Sequence, residues 1–477
     1  MKTTLQDYGF LFADSEASFL RIPVWGHIAL PREVRQIIEH PQFLRLQKVR
    51  QLSFAYLVFP GAVHSRFDHS IGVYHITKEM LKAIVLNRLN LDKGGQPLIS
   101  PDEARVSLAS ALLHDIGHYP FAHTIDGLCV EHQTKGPIRF ELHEKRAQRV
   151  ILDDRGQDSI YGILKSSWGI EQPERVAEAI SRASGSAGLT GKLLSGIIDP
   201  DKMDYLMRDA AFCNVPYGHI DVSRLLESLV IDPERMRLGI LEKGIAPLES
   251  LIFSKYMMYR YIYWHHTIRI ASAMLKRFVQ DGMEAGAVEP RRFYEQGEDE
   301  LLRELSDRSV KGAFPTGHLI DELRARKLYK RALVLHTDYS PYIKPQELQL
   351  TETDVGRIRD MYRFPQQRKA RELEICQYLS RKEGHSLDGS EVLIDIPKVT
   401  TVFDLEDFAD LYVYVETPLE RGRYQFVQFI TSRMSQIDRE FLQGCDRCGR
   451  RVRVICRADL QDALRKHWKK VVGIIRE

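Results

Sequence analysis

The stretch ALLHDIGHYPFAH, Ala111 to His123, decides how this chain is read. It sets His114, Asp115, His118 and His123 close together, directly after an apolar run. Upstream, PDEARVSLASALLHDIG (Pro101–Gly117) opens on a proline and two acids, repeats apolar residues at steps of three and four, and stops at a glycine. That pattern predicts a helix ending at the His–Asp pair. Adjacent helical residues point about 100° apart, so His114 and Asp115 can serve one ion only where the helix ends. His118 follows four residues after His114, on nearly the same face. Burying so many polar groups needs compensation, and a metal ion supplies it.

Two further segments offer partners. HSRFDHSIGVYH (His64–His75) places His69 at the start of an apolar helical run, with Arg66 three residues earlier, suited to a phosphate. IIDPDKMDYLMRDA (Ile197–Ala210) has Asp199 as an N-cap and Pro200 at the first helical position. Asp201, Tyr205, Arg208 and Asp209 then line one face, with Lys202 beside them. A donor set of two histidines and two aspartates suits one divalent transition metal such as Fe, Mn, Zn or Ni. An octahedral ion with four such ligands keeps two positions for water and a substrate oxygen.

The rest of the chain frames these segments. Its 477 residues are 44% hydrophobic and 28% charged, enough for a large core and a second domain. The net charge of +3 gives no general argument for nucleic-acid or membrane binding. The start, MKTTLQDYGFLFADSE, has no secretory pattern, and no run reaches the roughly 20 apolar residues of a membrane span. Six irregularly spaced cysteines fit a reducing, cytoplasmic setting. REVRQIIEHPQFLRLQKVRQL (Arg32–Leu52) and Ser250–Val279 read as helix, the latter as one long apolar-aromatic helix. Residues 85–101 and 181–192 read as loops, and Glu391–Ile396, Ala409–Thr417 and Arg450–Arg457 as strands. The expected fold is mainly α: a helical core over residues 1–335 and a small α+β domain over 336–477.

The blocks WGHIALPREVRQIIEHPQFLRLQKVRQL, YLVFPGAVHSRFDHSIGVYH, LLHDIGHYPFAHTID, LHE and DPDKMDYLMRDA, in this order, resemble the HD-domain phosphohydrolases and, more closely, their dNTP triphosphohydrolase branch. The resemblance covers roughly residues 20 to 335. It implies metal ligands at His69, His114, Asp115 and Asp201. It implies catalytic roles for His118, His123, Asp126, His143 and Glu144. Phosphate and sugar contacts fall on Arg66, Lys202, Tyr205, Asp209 and Tyr263, and Gln51 and Leu52 meet the deoxyribose 3′-hydroxyl. The implied reaction converts dNTP and water to deoxynucleoside and triphosphate, with Mg on the triphosphate. His123, held by a carboxylate such as Asp126, would protonate the leaving oxygen. Assembly as a tetramer or hexamer and a nucleotide activator are implied too.

The sequence also departs from that pattern. The positions that read an activating guanine are Glu39, Leu44 and Gln47, only the first matching in type. A glycine run after Gln51–Leu52 is replaced by Ser53–Tyr56, SFAY. Cys445, Cys448, Cys456 and His467 offer a possible zinc set, although a second tight pair is missing. Alternative functions are an HD-type phosphatase or phosphodiesterase on another nucleotide, or weak single-stranded nucleic-acid binding through the basic tail and the aromatic residues near 256–266.

Overall fold

The computed structural model describes residues 5–12, 17–91, 95–132, 134, 136–181, 188–233, 236–336, 345, 348–384, 386–396, 402–403, 405, 408, 410–417, 419, 424–432, 434–449 and 451–477. Three helices carry the motif segments, and each starts where its cap dictates. The helix Arg66–Leu86 opens on a capping box in which Ser65 and Asp68 satisfy each other's backbone amides. Pro101–Leu113 opens on the same device between Ser100 and Glu103, with Pro101 in the first turn. Pro200–Cys213 is capped by Asp199, which accepts from the Lys202 amide, and ends on Asn214 in the left-handed conformation. The first helix packs against both others, which brings their polar ends together.

Among the described residues, four small sheets accompany the helices. β1 (Ser18–Ile22) and β2 (Gly26–Leu30) form one hairpin, β3 (Cys129–His132) and β4 (Gly136–Arg139) another. β5 (Leu229–Asp232) and β6 (Arg237–Leu241) begin a four-stranded sheet. β7 (Lys330–His336), β8 (Val392–Asp395) and β11 (Arg451–Cys456) form a three-stranded sheet in the order β7-β11-β8. The strands expected near 391–396, 409–417 and 450–457 are therefore present.

Residues after 336 pack into both cores. β9 (Tyr412–Glu416) runs parallel to β6, and β10 (Tyr424–Gln428) extends that sheet. Phe403, Phe408, Leu411, Val413 and Phe429 are buried in the large core. The open edge of β6 needs a partner, and β9 supplies it. The smaller core comes from β7, the helices Glu352–Arg363 and Pro365–Glu383, β8, β11 and the two final helices.

Two local expectations also change. The long aromatic helix is broken: Ile245–Met258 passes into a π-turn at Tyr259–Tyr263, and a new helix starts at His266. Extra residues in a helical turn re-aim side chains, which is common at functional sites. Within 181–192, residues 188–192 belong to the helix Gly188–Ser195, and 182–187 lie outside the described residues. Among the described residues no helix is long and apolar enough to cross a membrane.

Candidate active site

The helix ends bring His69, His114, Asp115 and Asp201 together. The Nε2 atoms of His69 and His114 stand 3.2 Å apart. Asp201 Oδ1 lies 3.0 Å from His69 Nε2 and 3.8 Å from His114 Nε2. Asp115 reaches both imidazoles, at 3.9 and 3.4 Å. Each imidazole has its other nitrogen committed. His69 Nδ1 donates to Asp204 Oδ2 at 2.7 Å, and His114 Nδ1 donates to the Ala111 carbonyl at 2.8 Å. Both Nε2 atoms therefore present lone pairs to the same space. Two nitrogens each about 2.1 Å from one ion, at right angles, stand about 3 Å apart. The donor chemistry and spacing fit a single divalent cation.

A layer of further residues stands beside this cluster. His118 Nε2 is 3.2 Å from Asp115 Oδ1, and its ring stacks on His143 with centroids 3.9 Å apart. Arg66 donates through Nη1 to Asp115 Oδ2 at 2.6 Å, and its Nη2 lies 2.9 Å from His123 Nε2. Asp126 holds His143 Nδ1 at 2.7 Å and accepts from the Tyr119 hydroxyl at 3.0 Å. Glu144 lies 3.3 Å from His143 Nε2. The carboxylate expected to hold His123 thus holds His143, and His123 faces Arg66 instead. Phe121 explains the difference: its left-handed backbone, φ 59°, reverses the chain between His118 and His123. Its ring stacks on Phe54 at 4.8 Å, which fixes the reversal.

Several residues expected to contact substrate are tied to one another or to neighbours. Tyr263 donates to Asp209 Oδ2 at 2.6 Å, and His64 Nε2 meets Asp209 Oδ1 at 2.8 Å. Tyr205 and Tyr263 stand edge to face, 6.3 Å between centroids. Lys202 pairs with Asp199 and donates to the Gly196 carbonyl at 2.9 Å. Gln51 is buried, and its Oε1 has no hydrogen-bond partner among the described residues. Leu52 packs on the large core, and Ser53 holds a positive φ of 44° where a glycine would be unstrained.

The HD domain profile matches residues 66–189, and the profile of the HD associated region matches residues 220–406. The chain carries an HD domain. HD domains bind divalent metal, and His69, His114 and Asp115 lie inside the matched segment. The uncharacterized protein YwfO of Bacillus subtilis is 34% identical over 267 residues, 56% of this chain and 56% of that protein. A protein named deoxynucleoside triphosphate triphosphohydrolase SAMHD1 homolog, from Dictyostelium discoideum, is 29% identical over 325 residues, 64% of this chain and 58% of that one. The chain spans about half the length of the curated relatives it matches. The crystal structure of a hypothetical protein from Aquifex aeolicus shares the fold, with a TM-score of 0.65 at 24% identity, over 95% of this chain and 100% of that chain.

Electrostatics around the HD pair favour a cation. Burial opposes ionisation of Asp115, yet Arg66, His118 and His114 hold its carboxyl well below the usual range. Burial opposes a charge on His69 too, but hydrogen bonds to Asp201 and Asp204 outweigh it and push its pKa up to about 10. Such an imidazole binds a positive partner on Nε2 strongly, proton or metal. Burial, Arg66 and His143 drive His118 well below its ordinary value, so it stays neutral. Burial and the neighbouring Asp209 keep the Tyr263 phenol protonated.

Sequence reasoning missed the support of this site. Asp204 is fully buried, accepts from Trp25 Nε1 at 2.5 Å, and takes two bonds from Arg208, each 2.8 Å. Gly72 makes room for it: a Cβ there would stand 1.9 Å from Asp204 Oδ1. A glycine inside an apolar helical run was the available signal. Elsewhere, Glu39, Leu44 and Gln47 are exposed. His467 is committed to Glu383 at 2.6 Å, Cys445 and Cys456 are buried, and the Cys448 side chain lies outside the described residues.

Proposed function

We propose that the HD site hydrolyses deoxynucleoside triphosphates to deoxynucleoside and inorganic triphosphate. The observation that carries this reading is the convergence of His69, His114, Asp115 and Asp201 from three distant segments, with both Nδ1 atoms tied and both Nε2 lone pairs aimed at one point. His69, His114, Asp115 and Asp201 would hold a divalent cation, which would supply an acidified water and draw charge from a phosphoryl oxygen. A water oxygen bonds to the α-phosphorus, the bond to the 5′-oxygen breaks, and that oxygen takes a proton.

The chain's own residues set up each part. Asp204 fixes the His69 tautomer and ring plane. Arg66 bridges Asp115 and His123, so a triphosphate that draws the guanidinium toward itself frees the His123 ring to carry a proton to the leaving oxygen. Lys202 adds a cation beside the ligand Asp201, and the tied pair of Asp209 and Tyr263 forms a rigid wall for the sugar. Gln51, with a buried amide oxygen awaiting a donor, suits the 3′-hydroxyl. The name of the Dictyostelium relative supports the substrate class.

The test is product identification with each of the four dNTPs and each candidate metal. Deoxynucleoside with triphosphate supports the reading. Orthophosphate or a nucleoside monophosphate would instead make the site a phosphatase or phosphodiesterase. Assembly into a tetramer or hexamer belongs to the same reading and is checked by light scattering.

A further inference from the structure

A second cluster of buried charge lies where the helix His266–Glu284 meets the smaller core. A small, partly open cleft is walled by that helix, by the helices Glu352–Arg363 and Pro365–Glu383, by β8, and by His123 and Thr124. Four cationic side chains line it, Arg269, Lys276, Arg277 and Arg368, against two carboxylates, Glu372 and Asp395. Both carboxylates are already shared. Asp395 takes Arg269 at 2.5 Å and Arg453 at 3.2 Å. Glu372 takes Arg277 at 2.7 Å and the Ile394 amide at 2.7 Å, with Arg368 3.6 Å away.

Lys276 is left over. Among the described residues no carboxylate lies within ion-pair distance of its ammonium, which stands 5.1 Å from the centre of the Tyr362 ring. A largely buried ammonium without a counter-ion is destabilising. Burial, Arg368 and Arg269 together push its pKa down to about 7. The structure around it gives no reason to keep a lysine for stability, since an apolar side chain would pack on Tyr362 as well.

We propose that this cavity is a binding site for a phosphate group, with Lys276 and the guanidinium forks of Arg269 and Arg368 as its recognition elements. Arg277 also pairs with Asp281 at 2.8 Å, so with Arg453 and Asp281 included five cations stand against three carboxylates; the excess of two positive charges matches a phosphate dianion, and planar guanidiniums suit its oxygens. Walls contributed by both cores enclose the space, which favours a small phosphate-bearing molecule over a polymer. The site is separate from the HD ligands but shares His123 with them, so its occupant sits next to the catalytic machinery.

Calorimetric titration tests this on the full chain carrying Asp201→Asn, which disables the metal site and separates this inference from the proposed activity. Inorganic phosphate is the first probe and a deoxynucleoside monophosphate the second. One site per chain is expected, weakened tenfold or more by adding Lys276→Met. The Lys276→Met chain should melt no lower than its parent without anion, which shows that it is folded. Ala273→Leu, which fills the cavity, should weaken binding likewise. Tighter binding of the nucleotide identifies a nucleotide as the source of the group, and tighter binding of phosphate identifies the free anion. Equal affinity with and without Lys276, or no binding by the Asp201→Asn chain, overturns the inference.

Discussion

The HD cluster and the cavity around Lys276 are both knots of buried charge, and His123 borders each. Their imbalance has opposite sign. At the HD pair, three carboxylates, Asp115, Asp201 and Asp204, surround two imidazoles whose free lone pairs converge. At the cavity, four cations face two carboxylates that other groups already use. A buried charge with its partner in place needs nothing further, as Arg208 shows beside Asp204. Unmatched buried charge is costly, so its sign indicates what each place is built to receive: a metal cation in one, a phosphate in the other.

The comparison breaks first on the cation side. Asp201→Asn should reduce hydrolysis to background in an assay of product release, with little change in melting temperature, because it removes charge from a cluster that has carboxylates in excess. Asp204→Ala should behave differently. It strands the Arg208 guanidinium, and unfolding free energy should fall by about 3–5 kcal/mol in denaturant titration. Metal affinity should fall roughly 10–100-fold, since His69 loses the acceptor on Nδ1. The pair Asp204→Ala with Arg208→Met should regain most of the stability and none of the metal affinity; recovery of both would show that Asp204 acts on folding alone.

Gly72→Ala is a smaller perturbation of the same support. Its Cβ would meet Asp204 Oδ1 and Arg208 Nη2 at 1.9 and 2.5 Å, so a loss of about 1–3 kcal/mol is expected by thermal melting. On the anion side the sign reverses. Lys276→Met should stabilise the anion-free chain, by roughly 1 kcal/mol at neutral pH. The pKa of Lys276 is held near 7 in the folded chain and returns to about 10.4 on unfolding. Between those values the unfolded chain binds more protons, so wild-type stability rises with pH across that window. The advantage of Lys276→Met should therefore be largest below pH 7 and fade toward pH 10. A constant advantage at all pH values would show that the lysine is not held down by its surroundings.

The cation side was largely legible in the sequence and the anion side was not, for a physical reason. His69, His114, Asp115 and Asp201 sit at helix ends that caps and a glycine announce locally, at Ser65, Ser100, Asp199 and Gly117. Asp204 was hidden because a second aspartate on an amphipathic helix looks like a solvated one. His64 was hidden because its partner Asp209 is 145 residues away. The cavity joins Lys276 to Arg368 and Asp395, and no local spacing links those positions. The same holds for the fold. Helices and strands followed periodicity, whereas the return of β9 to β6 is a long-range pairing that no local pattern announces. The π-turn at Tyr259–Tyr263 was invisible because its aromatic run keeps helical character on both sides.

The central claim is that four side chains share one ion. Elemental analysis of purified chain after exhaustive dialysis, paired with X-ray absorption at the metal edge, tests it most directly. The expected result is one divalent transition metal per chain, bound by two imidazole nitrogens and carboxylate oxygens, and lost in a His114→Ala chain that still melts cooperatively. A wild-type chain that retains no stoichiometric metal, or a His114→Ala chain that keeps it with an unchanged absorption spectrum, would contradict the claim.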